Sequence, residues 1–428
     1  MVRRTSSDGR EVLTCWSWWR RRLPPPPSHD ATRGMDVAAN LYTDTFLTKA
    51  GSEFLTTKLG NEAVLIDVGE PTIADLLTWP ELEEILATRP LSAPRLRLTQ
   101  RAVDVPVESY TRSVMSSGEQ RRALVPEKVY DQLRGDATLI LEAIDRLHPP
   151  IRDAADELVQ MISEAAQANL YLAFGEMGGF GTHWDDHDTF IVQVAGLKRW
   201  IVHGPGSRPY PMAQGLDRCH DCPESVVWNG VLSPGQILHV PRGWWHTVRG
   251  VGGWSMHLTF GFTRATGMSW LHWLFDQLLD DPAFRQDLPR FSSAEARSAH
   301  HHQLVERLAM RAATEKIDRF MADRDARVPR RQRVCLPWSV ESGELPSAAM
   351  VEFTPLLSAL ATHGQTLTFI AGGRKFTFAA AIRPVLETLI AQRRLSVAEL
   401  AQTSDLPTER FRALLDVLIR QHLVLIQP

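Results

Sequence analysis

Cysteine is scarce in this chain, with four residues in 428. That argues against a disulfide scaffold and for a reducing compartment, so a cytoplasmic location is expected. No apolar run approaches the ~18 residues that a membrane-spanning helix needs. A formal net charge of −3 provides no global attraction to nucleic acid or to anionic membrane. Arg3-Arg4 is not followed by an apolar stretch, which argues against a twin-arginine export signal. Cys219-His220-Asp221-Cys222 has metal-ligand spacing but no second CxxC pair, since the other cysteines are Cys15 and Cys335. A closed structural zinc site wants four ligands, so a loop is expected there. What is present is an ordinary globular composition, 44% hydrophobic and 23% charged, long enough for two or three domains.

Four units are expected. Residues 1–35 carry Trp16, Trp18 and Trp19 beside Arg20-Arg21-Arg22 and then Pro24 to Pro27, the composition of a disordered extension. Met35 offers an alternative start. Residues 36–265 form the second unit, which opens with short strands and helices up to about residue 125. Amphipathic helices are expected over residues 128–147 and 151–169, the second with Ile151, Ala155, Leu158, Ile162 and Ala165 on one stripe. The period then shortens to that of strands at residues 169–174, 190–194, 199–202, 236–240 and 255–262. Gly196-Leu197 reads as a tight hairpin, and Pro234-Gly235 and Pro241-Arg242-Gly243 as turns. Short strands at this spacing suggest an antiparallel barrel or jelly roll, giving an α+β chain with flanking helices.

The third unit, residues 266–345, carries helical faces at 270–279 and 303–321 and a basic linker at 327–337, with His300-His301-His302 on a loop. The fourth, residues 346–428, ends in a winged-helix-like order. A short helix starts at Ser396 with Glu399 completing a capping box, a longer one runs from Pro407 to Arg420, and a strand follows at 423–426. Between residues 370 and 428 eight Arg/Lys oppose five Asp/Glu, too small an excess for strong phosphate binding. Protein contact is therefore expected of this unit rather than nucleic-acid contact.

The chemistry concentrates in His183-Trp184-Asp185 and the distant His246. Two imidazoles and a carboxylate are the facial ligand set of non-haem iron(II) sites. On a strand, the i, i+2 spacing turns both side chains into one barrel interior. Burying Lys198 in such a barrel demands an anion, and Tyr171 offers that anion a hydroxyl. Ser255, His257 and Thr259 share one face of the closing strand by alternation, and His187 follows His183 by four.

The runs Asn169-Leu-Tyr171, Gly181-Thr-His-Trp-Asp-Asp-His-Asp-Thr-Phe190, Val194-Ala-Gly-Leu-Lys-Arg-Trp200 and Leu232-Ser-Pro-Gly-Gln-Ile-Leu-His-Val-Pro-Arg-Gly-Trp-Trp-His246 resemble the Jumonji C ribosomal oxygenases. These are cupin-type protein hydroxylases dependent on iron(II) and 2-oxoglutarate. The resemblance implies a double-stranded β-helix core, a helical dimerisation region giving a homodimer, and a terminal winged helix. It implies His183, Asp185 and His246 as iron ligands, and Lys198 and Tyr171 as 2-oxoglutarate contacts, with oxygen as co-substrate; Thr259, from its face of the closing strand, is expected as a further 2-oxoglutarate contact. His187, Ser255 and His257 are expected in the substrate pocket or supporting the metal. Some bacterial members carry arginine where Lys198 stands, whereas the human type carries lysine, so the choice between an arginine and a histidine substrate stays open. The rival readings are a tailoring hydroxylase of a peptide or free amino acid, and a non-catalytic regulatory protein that uses the winged helix.

Overall fold

The computed structural model describes residues 41–116, 118–176, 180–212, 221–337, 340 and 345–427. The expectations for residues 1–35 and for Cys219 and His220 lie outside the described residues; Cys222 is a half-buried free thiol.

A nine-stranded antiparallel sheet carries the first half of the chain. Its strands are β1 (Val64–Asp67), β2 (Leu96–Gln100) and β3 (Val103–Asp104), then, after a separate ribbon of β4 (Thr111–Ser116) and β5 (Glu119–Leu124), β6 (Thr138–Leu141) and β7 (Ala166–Ala173). β8 (Asp188–Pro205), β9 (Trp228–Leu232), β10 (Gln236–Val240) and β11 (Trp244–Phe262) complete it. The order is β1-β10-β8-β11-β7-β6-β2-β3, with β9 on β8.

β8 and β11 are 18 and 19 residues long and pair along most of their length. Each bends in the middle, β8 at Gly196 (φ 67°) and β11 at Gly252 and Gly253 (φ 70° and 117°), where the register shifts between Val251 and Ser255. The expected hairpin at Gly196-Leu197 is therefore absent. The left-handed turn of Gly196 is absorbed as a bend opposite the glycine pair, and the strand runs on. A side chain at Gly196 would place its Cβ 2.1 Å from the Trp254 carbonyl oxygen. The bend lets one strand serve two walls: the first half of β8 pairs with β10 and the second with β9.

Helices α1 (Leu41–Ala50), α2 (Glu70–Ile73), α3 (Trp79–Thr88), α4 (Pro126–Arg134) and α5 (Pro149–Ile162) flank the sheet. The helix expected over 128–147 is shorter, because Gly135 and the left-handed Asp136 (φ 67°) end it. The apolar run that follows is β6, every residue of which is buried. The second expected helix, α5, buries Ile151, Ala155 and Leu158 as its stripe required. It stops at the left-handed Ser163 (φ 54°), so Ala165 falls beyond its end. One core runs from Phe46 to Phe262. Each fully buried aliphatic or aromatic side chain contributes about 1.5–3 kcal/mol, which fixes the sheet under the helices.

Beyond the sheet lie α6 (Gly267–Leu278), α7 (Pro282–Arg285), α8 (Ala294–Thr314) and α9 (Ile317–Ala326). The helix expected over 303–321 is two, broken at the extended Glu315 and Lys316. His300 to His302 sit inside α8 rather than on a loop. The basic linker has no helix or strand. Its Arg331 is bound by Asp145 and Asp156, and its Arg333 by Asp153, Asp156 and Glu352.

The last residues build a second core from Ala349 to Ile426. Its elements are β12 (Met350–Phe353), β13 (Ser358–His363), β14 (Thr366–Ala371), β15 (Arg374–Ala379), α10 (Arg383–Gln392), β16 (Arg394–Ser396), α11 (Val397–Gln402), α12 (Thr408–Arg420) and β17 (Val424–Gln427). The capping box of Ser396 and Glu399 forms as read from the sequence. β17 returns to pair with β12, whose other edge holds β16.

Candidate metal centre and co-substrate cavity

His183 lies just before β8 in a segment without regular structure, joined to β11 by an isolated bridge. Its N–H donates to the His246 carbonyl (3.1 Å) and its carbonyl accepts from the His246 N–H (2.8 Å). The Gly243 N–H of the Pro241-Arg242-Gly243 turn donates to the Asp185 carbonyl at 2.8 Å. These bonds replace the regular strand that the i, i+2 spacing suggested, and they keep both side chains on one side. One ligand atom from each of His183, Asp185 and His246 comes within 4.8 Å of the others. Among the described residues this is the one such group.

Both imidazoles are oriented by the backbone. His183 Nδ1 is 2.9 Å from the Gly181 carbonyl and His246 Nδ1 is 3.0 Å from the Trp244 carbonyl. Each carbonyl fixes the proton on Nδ1 and leaves Nε2 a free lone pair, the arrangement a metal-ligating histidine needs. Burial, together with His183, pushes the His246 imidazole down to about 4, so it is neutral. Burial opposes ionisation of Asp185, but the imidazoles of His187, His183 and His246 hold its carboxyl below the ordinary range. Two imidazoles and one carboxylate fit a divalent first-row metal, iron(II) included.

The triad opens onto a cavity of about 200 Å³. Lys198, Tyr171, Thr259, His187 and His257 all line it, whereas Ser255 is buried but does not. The Lys198 side chain reaches the interior from β8 and is 5% exposed. Among the described residues no carboxylate lies within ion-pairing distance of it. Its polar neighbour is His257, with Nζ 3.4 Å from Nδ1. Burial pushes the Lys198 ammonium down to about 8. Burial and Lys198 together hold His257 well below its ordinary value, so it stays neutral. The His257 ring stacks on Tyr171, their cross-strand register being direct, at 4.9 Å between centroids.

His187 sits against Gly261, where a Cβ would come 2.8 Å from its Cδ2, and its Nδ1 is 3.1 Å from Asp186. Sequence reasoning missed other wall residues. Asn169 and Gln167 precede Tyr171 by two and four positions on β7 and share its face; alternation would have found them. Thr138 and Trp200 also line the cavity. Arg97 reaches it from β2, its guanidinium 5.8 Å from the Phe180 ring centre, and no local signal points to it.

Residues 146–269 match the family model described as JmjC domain. The chain is similar to the bifunctional lysine-specific demethylase and histidyl-hydroxylase NO66 of Drosophila persimilis, 30% identical over 36% of this chain and 23% of that protein. It is also similar to ribosomal oxygenase 1 of Gallus gallus, 24% identical over 59% of this chain and 42% of that one. It thus spans less than half the length of these relatives. A solved structure of YcfD, a ribosomal oxygenase from Escherichia coli in complex with cobalt and 2-oxoglutarate, matches with TM-score 0.53 and 17% identity. That match covers 88% of this chain and 98% of the YcfD chain, and it shows a shared fold. Residues 146–269 thus match the JmjC domain by sequence, and the chain shares its fold with the solved YcfD structure.

Proposed function

We propose that this chain is an iron(II)- and 2-oxoglutarate-dependent oxygenase that hydroxylates a protein side chain, with a ribosomal protein as substrate. One observation carries the co-substrate assignment: a buried lysine with no carboxylate partner among the described residues shares a cavity with the two histidines and the aspartate of the triad. A buried ammonium is costly until an anion reaches it, and a dicarboxylate that also chelates the metal supplies that anion.

His183, Asp185 and His246 would hold iron(II), which supplies the oxygen activation that no side chain provides. Lys198 would take the far carboxylate of 2-oxoglutarate, with Tyr171 and Thr259 adding hydroxyl donors. His257 keeps Lys198 from folding away, by contact on one side and by its stack on Tyr171 on the other. His187 stands in the wall as a substrate-facing group. The names borne by the chicken and E. coli relatives support the ribosomal substrate.

The remaining units fit the same reading. Residues 36–265 would be the catalytic domain, residues 266–345 the dimerisation region and linker, and residues 346–428 a winged-helix-like scaffold. α8 runs for 21 residues with none buried, and Phe275, Met310 and Ile317 are 49%, 62% and 61% exposed. A second copy would cover this apolar surface. A cytoplasmic location suits the few cysteines and a ribosomal substrate.

Purified chain given iron(II), ascorbate and 2-oxoglutarate is expected to form succinate slowly without substrate. A metal-loaded preparation that neither binds 2-oxoglutarate nor forms succinate overturns the reading. Mass spectrometry of ribosomal proteins from wild-type and deletion strains is expected to show one site hydroxylated only in the wild type. A monomeric mass in solution would remove the dimer alone.

A further inference from the structure

The sheet face turned away from the metal triad carries a polar row of its own. His183 and His246 exchange both backbone hydrogen bonds and so stand directly opposite each other. One position further out on each side, Thr182 and Thr247 form the next cross-strand pair, and alternation turns their hydroxyls to the side opposite the imidazoles. On β11, His246 and Val248 line the metal cavity and Thr247 between them does not. The two threonine hydroxyl oxygens are 2.7 Å apart. The other edge of β11 is held by β8, where Ile201 stands opposite Thr247. His203 follows Ile201 by two and shares its face, and its Nε2 is 3.2 Å from the Thr247 hydroxyl. One line of side-chain hydrogen bonds therefore crosses three neighbouring segments behind the triad.

The direction of that line follows from its inner end. His203 Nδ1 is buried and has no hydrogen-bond partner among the described residues. An N–H left unpaired in the interior costs more than a lone pair left so, which places the His203 proton on Nε2. Nε2 then donates to Thr247, and Thr247 donates to the exposed Thr182. The line bears on metal binding because few backbone bonds hold the first two ligands. Three join their segment to β11 and the turn before it, two at His246 and one from Gly243. A single bridge leaves that segment free to pivot, and a bond behind the pivot restrains the imidazoles in front of it.

We infer that Thr247, held by His203, is a positioning residue for the metal centre, which fixes the His183 imidazole against that of His246 by way of Thr182. This role rests on the oxygenase reading for its catalytic meaning, and on the triad alone for metal affinity.

The test titrates the full chain with cobalt(II), whose visible absorption reports the geometry of its ligands. Thr247→Val keeps the side-chain shape and removes both hydrogen bonds. It is expected to weaken cobalt affinity about tenfold and to alter the absorption band, whereas Thr247→Ser restores both. Thr182→Val, an exposed change that breaks one bond, is expected to cost about threefold, and it carries the test should Thr247→Val fail to fold. The double variant Thr182→Val/Thr247→Val is expected to bind cobalt no more weakly than Thr247→Val alone. Parental affinity and spectrum in both single valine variants, a loss that serine does not restore, or additive losses in the double variant would each overturn the positioning role. A parent that binds cobalt but forms no succinate with iron(II) and 2-oxoglutarate overturns the oxygenase reading alone. A parent that binds no cobalt overturns both.

Discussion

Two regions of this molecule bury a cation, and they do so in opposite ways. At the crossing of the linker, Arg331 is enclosed by Asp145 and Asp156 and also donates to the Ala166 carbonyl. Burial works against its charge, but Asp156 and Asp145 raise its affinity for the proton above the ordinary value. In the metal cavity, Lys198 is more deeply placed, faces a neutral histidine, and is pushed the other way by burial alone. A cation supplied with its own acids is part of the architecture, whereas one supplied with none is prepared for a ligand. Fold and function are told apart here by where the counter-charge comes from.

The largest effect should come from the architectural cation. Arg331→Met leaves Asp145 buried without its cation and is expected to cost about 3–5 kcal/mol in urea unfolding; unchanged stability would break the comparison from that side. Lys198→Met should act in the reverse direction, stabilising the ligand-free protein by about 1–3 kcal/mol because a poorly solvated ammonium disappears. The same change should weaken 2-oxoglutarate binding about a hundredfold, and a destabilised variant that still binds would contradict the assignment.

The pH dependence sharpens the point. Calorimetric affinity for 2-oxoglutarate is expected to hold below pH 8, and to fall by up to about tenfold per unit above it as Lys198 loses its proton. Ligand-free stability should move oppositely. The unfolded lysine binds protons up to about pH 10.5, so over that interval the unfolded state holds more protons and this group's contribution rises with pH. The smallest effect is expected at the wall remote from either cation. Gly261→Ala would press on His187, lowering turnover about threefold by misplacing the substrate without changing 2-oxoglutarate affinity.

Much of the site was legible because its chemistry is carried by residue type at fixed spacing. The triad, Lys198 and the turns before β10 and β11 announce themselves in this way, and the capping box at Ser396 does so for α11. The misread elements share a different cause. Residues 139–141 are apolar throughout, and so short a run has no period by which a doubly buried strand differs from a helix. Gly196 signals a sharp backbone angle, but whether the chain reverses or merely bends depends on Gly252 and Gly253, which meet it from the opposite strand. Arg97 joins the cavity through β2, β6 and β7, a route no local pattern encodes. Ser255 was placed by alternation carried through a strand whose pairing register shifts on either side of it.

The bent pair of strands has a consequence for how this protein can change over generations. His246, His257 and Thr259 all hang on β11, and Thr189, Ile191 and Lys198 all hang on β8. A one-residue insertion in either strand would turn every later member of that set to the opposite side. Selection can therefore keep or lose this chemistry but has little freedom to adjust it by lengthening the strands. Variation in what the protein acts upon is left to the wall positions and connecting segments, such as His187 and the stretch between β8 and β9.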